Sequence, residues 1–262
     1  MNASCTPADL DRRFGAVARL YGQATLARFG SARIAVVGLG GVGTWAAEAL
    51  ARSGVANLTL IDLDHIAESN ANRQIHALEP EFGKAKVQAM AERIRAIHPA
   101  AAVRTMEDLL SPENVEHCLQ GIELVIDCID QVAAKAALIA HARQNAIAVV
   151  TCGGAGGRKD PARIRRDDLA RAQGDRLLAK VRYRLRHDYG YAAAGREKRA
   201  PRFGVEAVFS DEPLCPPAPG CEAVDFTPGS PLACGGYGSC MTVTATMGLA
   251  AAAWALEQFR AP

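Results

Sequence analysis

The stretch Arg33-Ile-Ala-Val-Val-Gly-Leu-Gly-Gly-Val-Gly-Thr44 decides the fold. Ile34 to Val37 is an unbroken apolar run, the pattern of a strand buried on both faces of a parallel sheet. It enters Gly38-x-Gly40-Gly41-x-Gly43, the spacing that joins a strand to a helix around a phosphate. Gly38 permits the tight turn, Gly40 the close approach of a phosphate, and Gly43 the packing of helix on strand. The helix, expected from about Gly41 to Ser53, aims free N–H groups and a positive dipole end at that anion. Leu58 to Asp62 reads as the second strand. Asp62 ends it with a carboxylate for ribose hydroxyls, about twenty residues beyond the loop. The pattern predicts a nucleotide without saying which.

The residues after Asp62 narrow the choice. The run Asp62-Leu-Asp64 leads to Asn70-Ala-Asn72-Arg73-Gln74, then to Lys84 and Lys86. A pyrophosphate held by a helix end needs no further cations. A triphosphate held for attack at its α-phosphorus calls for Arg and Lys side chains and a metal carboxylate. Arg73 and Lys86 are the candidate phosphate cations, and Asn70 and Gln74 the candidate polar partners. An Arg and a Lys near a helix start are ordinarily a solvated face; the Asn-x-Asn-Arg-Gln run beside the ribose acid argues otherwise here.

These residues carry a resemblance. Gly38 to Gly43, Asp62-x-Asp64, Asn70-x-Asn72-Arg73-Gln74, Lys86 and Asp130 resemble the adenylation domain of the ubiquitin-activating-enzyme-like adenylyltransferases. The runs Ala18 to Gly22, Arg73 to Leu78, Lys135 to Ala140, Gly153 to Gly157 and Met241 to Ala245 are most similar to the tRNA threonylcarbamoyladenosine dehydratase branch. The resemblance covers nearly the whole chain. It implies ATP with Mg²⁺ as cofactors, and phosphate contacts from Arg73 and Lys86. It also implies a nucleotide cradle of Gly38, Gly40, Gly41, Gly43, Asp62, Asp64, Asn70, Asn72 and Gln74, with Asp130 as the metal carboxylate. A leading-helix arginine, Arg13 or Arg19, would reach the phosphates, commonly those of a partner subunit, so a homodimer is expected. The implied reaction is adenylation of the carboxylate of threonylcarbamoyladenosine beside the tRNA anticodon. Ring closure with net loss of water follows.

At 262 residues, one large α/β domain is expected, and an apolar fraction of 49% suffices for its core. The expected fold is Rossmann-like, a mostly parallel sheet with flanking helices. Residues 1–157 form the ATP-binding core, and residues 158–262 form a basic lobe and a C-terminal helix completing the same domain. Ala8 to Phe29 reads as a leading helix and Gly83 to His98 as another, stopped by Pro99. Ala101–Met106, Glu123–Asp127, Ile147–Thr151 and Phe203–Phe209 read as strands. Asp127 and Asp130, at the carboxyl end of a parallel strand, are expected to face the ligand crevice. Mg²⁺ on nucleotide phosphates is usually held by one or two carboxylates. The glycine run Gly153 to Gly157 leaves room for a substrate or a moving loop.

Net charge is only +2, so it says nothing global about partners. Its distribution does: Arg158 to Arg202 holds 15 of the 30 Lys and Arg residues, against six acids. Arg182, Arg184 and Arg186, with Tyr183 and Tyr189 nearby, are candidate RNA contacts; a solvated amphipathic helix is the plain alternative. Eight cysteines with no secretory signal at Met1 to Ala8 point to reduced thiols and a cytoplasmic setting. Peripheral membrane association is left open. No C-x-x-C pair occurs, so structural zinc is not expected around Cys215, Cys221, Cys234 and Cys240. The roles of Cys152 and Cys234 are open. That lack also weakens the main alternative, adenylation of a ubiquitin-like sulfur carrier. A sulfur-transfer protein partner stays open, while no hydride-transfer constellation supports an NAD-dependent oxidoreductase. Met241 to Leu256 is apolar but short of the ~20 residues of a membrane span, so a buried helix is expected.

Overall fold

The computed structural model describes residues 8–193, 201–219 and 237–262. Seven strands form its sheet: β1 (Arg33–Val37), β2 (Asn57–Ile61), β3 (Ala102–Met106), β4 (Leu124–Asp127), β5 (Ala148–Cys152), β6 (Ile164–Asp168) and β7 (Glu206–Ser210). Their order is β3-β2-β1-β4-β5-β7-β6, parallel throughout except for β6, which runs antiparallel to β7. The order reverses between β1 and β4, and ligands of open α/β sheets bind at such a switch point, beyond the carboxyl ends of the strands. In register, Val37 lies level with Ile61 on one side and Asp127 on the other. Gly38, Asp62 and Cys128 therefore leave the sheet together at that edge.

Helices cover both faces. On one, α3 (Gly43–Arg52), α4 (Lys86–Ile97) and α8 (Met241–Glu257) pack against a core of Ile34, Val36, Leu58, Leu60, Met90, Ile94 and Met247. On the other, α6 (Val132–Gln144) and α7 (Arg176–Asp188) cover Val125, Leu138, Ile139, Leu178, Val181 and Leu185. α8 is the expected buried helix. Its Gly248 lies so close to α3 that a Cβ would sit 2.3 Å from the Val42 carbonyl oxygen. None of the described helices is long and apolar enough to cross a membrane.

Some boundaries and one strand differ from the sequence reading. The leading helix is two helices, α1 (Leu10–Tyr21) and α2 (Gln23–Ser31), because the chain leaves helical geometry at Gly22. The helix after the glycine loop starts at Gly43 rather than Gly41. β6 was not expected at all: four of its five residues are charged, and an edge strand carries such residues because one flank meets water. Residues 158–262 thus add two strands to the sheet and a helix to each face. Cys221 and Cys234 lie outside the described residues.

Candidate active site

The glycine loop is built by two close contacts. Gly38 has φ of +86°, and a Cβ there would lie 2.9 Å from the Cys128 carbonyl carbon. Any side chain would push β1 away from the β4 turn. A Cβ on Gly43 would sit 1.9 Å from the Gly38 oxygen, so α3 can start this near the strand only with glycine. At Gly40 a Cβ would meet nothing within 4 Å, which leaves open space where a phosphate is expected. Gly41 faces Arg73, whose Cγ lies 3.0 Å from the Cβ position, so the Arg73 stem lies against the loop.

Asp62 ties the second strand to this loop. Its Oδ2 accepts a hydrogen bond from the Leu39 N–H at 2.5 Å, and its Oδ1 accepts one from the Asp64 N–H at 2.8 Å. Burial raises its pKa, opposed by Lys86 and by these two N–H donors. Lys86, 5% exposed at the first position of α4, donates to Asp64 Oδ2 at 2.6 Å and lies 3.8 Å from Asp62 Oδ1. A buried ammonium held by two carboxylates is a cation placed to meet further negative charge, provided one carboxylate gives way.

The segment from residue 68 to 78 forms the wall facing the loop. Asn70 is buried, and its Oδ1 accepts from the Ala67 N–H at 3.1 Å. Trp45 of α3 donates its indole N–H to the Arg73 carbonyl at 2.9 Å, fixing the backbone there. The Arg73 guanidinium donates to the Ser69 carbonyl and to Asn72 Oδ1, both at 2.8 Å. Asn72 donates to the Ser239 carbonyl at 2.9 Å, joining this wall to the residues leading into α8. Gln74 is buried, with its Oε1 unpaired among the described residues.

Asp127 and Asp130 part company. Asp127 is wholly buried and faces inward: Lys135 Nζ lies 2.9 Å from its Oδ2, and the Thr151 hydroxyl donates to the same oxygen at 2.6 Å. It was expected to face the crevice, but a completely buried carboxylate needs a cation and α6 supplies one. Asp130 is left at the crevice. Burial raises its pKa first, Lys135 lowers it, and the charges of Asp64 and Asp62 raise it further. Its turn lies against the glycine loop, with the Ile129 nitrogen 3.2 Å from a Cβ on Gly38, although among the described residues no three ligands form a ready-made metal cluster.

Other expected residues are placed elsewhere. Arg13 donates to the carbonyls of Ala96 and Ile97, capping the far end of α4. Eleven residues of helix separate that end from Lys86, about 16 Å. Arg13 is thus remote from the nucleotide loop of its own chain; Arg19 is exposed on α1. The room at Gly153 is filled by Asp175, whose Oδ2 would lie 2.2 Å from a Cβ there and accepts from the Gly154 N–H at 2.8 Å. Asp175 also caps α7 through the Leu178 N–H, so it ties that helix to the end of β5. On α7 the three arginines diverge. Arg184 is exposed and paired with Asp188 at 2.9 Å. Arg182 is half-buried, and Arg186 lies over the Phe203 ring at 5.3 Å. Cys152 is buried with its Sγ 3.9 Å from Cys128.

His76, in the segment from residue 68 to 78, is 2% exposed, and neither ring nitrogen has a hydrogen-bond partner among the described residues. Burial, then the charges of Lys86 and Arg93, holds its pKa at about 4, so the ring is neutral.

A glycine loop at a sheet switch point, with Asp62, Arg73 and Lys86 beside it, is the framework of a nucleotide-binding enzyme of the adenylating class. The chain belongs to the ThiF family, whose model matches residues 12–258. It is 46% identical over 256 residues to the tRNA threonylcarbamoyladenosine dehydratase of Escherichia coli, covering 95% of this chain and 94% of that one. The Haemophilus influenzae protein of the same name is 43% identical, covering 95% and 93%. The crystal structure of the E. coli dehydratase in complex with ATP superposes with a TM-score of 0.84 at 44% identity, covering 97% of this chain and 96% of that one.

Proposed function

We infer that this protein is an ATP-dependent tRNA threonylcarbamoyladenosine dehydratase. The observation that carries the reading is the placement of Arg73 against Gly41 of the glycine loop and of Lys86 beside Asp62 and Asp64. Full-length likeness to the two dehydratases and to the ATP complex supports it.

The nucleotide phosphates lie over Gly40 and the start of α3, with the ribose at Asp62. Arg73 and Lys86 neutralise charge as it shifts toward the departing pyrophosphate. Asp130 would hold Mg²⁺, which supplies further neutralisation of the phosphates. The substrate carboxylate attacks the α-phosphorus and pyrophosphate leaves. A nucleophile of the same side chain then attacks the activated carbonyl carbon, and the bond to the AMP oxygen breaks. One carboxylate oxygen departs with AMP, which accounts for the net loss of water. An acyl-adenylate is already activated, so no protein thiol is needed, in keeping with the burial of Cys152.

The working unit is a homodimer in which Arg13 or Arg19 of one protomer serves the other's phosphates. RNA backbone contacts fall to the cations of α7, and the setting is the cytoplasm, where ATP and tRNA meet. The direct test is pyrophosphate release, which should require both Mg²⁺ and tRNA carrying the modified adenosine. Release driven instead by a small ubiquitin-like protein would favour the sulfur-carrier alternative.

A further inference from the structure

An open groove of about 530 Å³ lies along α7 beside the first residue of α6. Val132, Ala179, Lys180, Tyr183, Arg184 and Asp188 line it. Its volume lies within the ~300–1,000 Å³ usual for small-ligand sites. Its position is fixed from two directions. Val132 opens α6 two residues after Asp130, so their Cα atoms lie no more than ~7.6 Å apart. Asp175 anchors α7 to the end of β5 at the same edge of the sheet.

The lining separates by chemistry. Tyr183 is 70% exposed, an unusual state for an aromatic ring, and it stacks on His187 with centroids 5.9 Å apart and planes 15° from parallel. Arg176, Lys180 and Arg184 recur every four residues, so they form one exposed stripe along α7 beside that ring pair. The alternating pattern 182, 184, 186 had suggested a different set. Helical geometry turns Arg182 and Arg186 against the protein and brings Arg176 and Lys180 beside Arg184. Asp188 is the one anion of the lining and is committed to Arg184 and His187.

We propose that this groove holds an unpaired base of the RNA substrate next to the modified adenosine, stacked on Tyr183, while Lys180 and Arg184 take the flanking phosphates. The proposal rests on the tRNA reading above and names the surface that would hold the loop. An exposed flat π-face beside a cationic stripe suits a base and its phosphates, and the contact is tolerant of base identity because every base has a π-face. The position near Asp130 places the bound nucleotide beside the one delivered to ATP.

The test is binding of wild type, Tyr183→Ala, Tyr183→Phe and Lys180→Ala to an unmodified anticodon stem-loop RNA across a salt series, with ATP affinity in parallel. Tyr183→Ala should lose about 5- to 150-fold in RNA affinity, Tyr183→Phe should keep most of it, and neither should change ATP affinity. Lys180→Ala should lower the salt slope by about 0.7, the single-strand value per contact, and Tyr183→Ala should leave that slope unchanged. Because Tyr183 is exposed, the variants fold, and circular dichroism checks this. RNA affinity of Tyr183→Ala within twofold of wild type overturns the groove assignment. A wild-type protein that shows this contrast but never dehydrates the modified tRNA overturns the functional reading and leaves the groove. A wild type without RNA affinity overturns both.

Discussion

The Lys135 ammonium lies 2.9 Å from the Asp127 carboxylate, and both side chains are completely buried. Lys135 also donates to the Ile129 carbonyl at 2.9 Å, and Asp127 accepts from the Ile129 N–H at 3.1 Å. The pair thus clamps the turn that delivers Asp130 to the crevice. Removing one partner strands a buried charge, so Lys135→Met should cost ~3–5 kcal/mol in urea unfolding. Lys135→Met combined with Asp127→Leu should cost less than Lys135→Met alone; an equal or greater loss would show that packing dominates there.

Asp130 should burden the empty protein. Its pKa is raised above 3.8, first by burial, so the folded state is penalised once the pH exceeds the raised value and is unpenalised below 3.8. Asp130→Asn should therefore raise the melting temperature of the nucleotide-free protein at pH 7. The gain should fade as the pH drops toward 4, while turnover is lost. A variant less stable than wild type at pH 7 would mean that the carboxylate is a structural cap.

Arg73→Ala and Lys86→Ala should lower kcat by ~10²–10³-fold, the usual loss of one charge-stabilising donor. The KM for tRNA should barely move, since both residues line the nucleotide crevice. A Lys86→Ala variant altered only in tRNA affinity would misplace that residue.

The dimer can be tested by mixing. Arg13→Ala and Lys86→Ala proteins, each inactive alone, should regain activity together if Arg13 acts across the dimer, because one site per mixed dimer then has both residues. If Arg19 is the one, only the Arg19→Ala mixture recovers. Fully active monomers by light scattering would contradict the arrangement.

What the sequence revealed depended on whether a residue acts through its immediate neighbours. Gly38, Gly43 and Asp62 were legible because a strand, a glycine turn and an acid at fixed distance are one local device. Resemblance singled out Asp130, while by position alone Asp127 looked equivalent. Only the tertiary approach of Lys135, hidden in the apolar helix α6, turns it inward. β6 was missed because four charges in five residues mask a strand that pairs along one flank. On α7 the densest local alternation of cations drew attention to Arg182 and Arg186, but a period of 3.6 places Arg176, Lys180 and Arg184 together. His76 gave no signal, since a histidine within an apolar stretch is normally core, and its burial with no partner among the described residues is set by the fold.

The most direct measurement is mass spectrometry of nucleosides from tRNA carrying threonylcarbamoyladenosine, incubated with the protein, ATP and Mg²⁺. The expected result is a modified adenosine lighter by one water, formed with one AMP and one pyrophosphate per event and absent without ATP. Unchanged nucleoside in the presence of bound ATP would contradict the assignment.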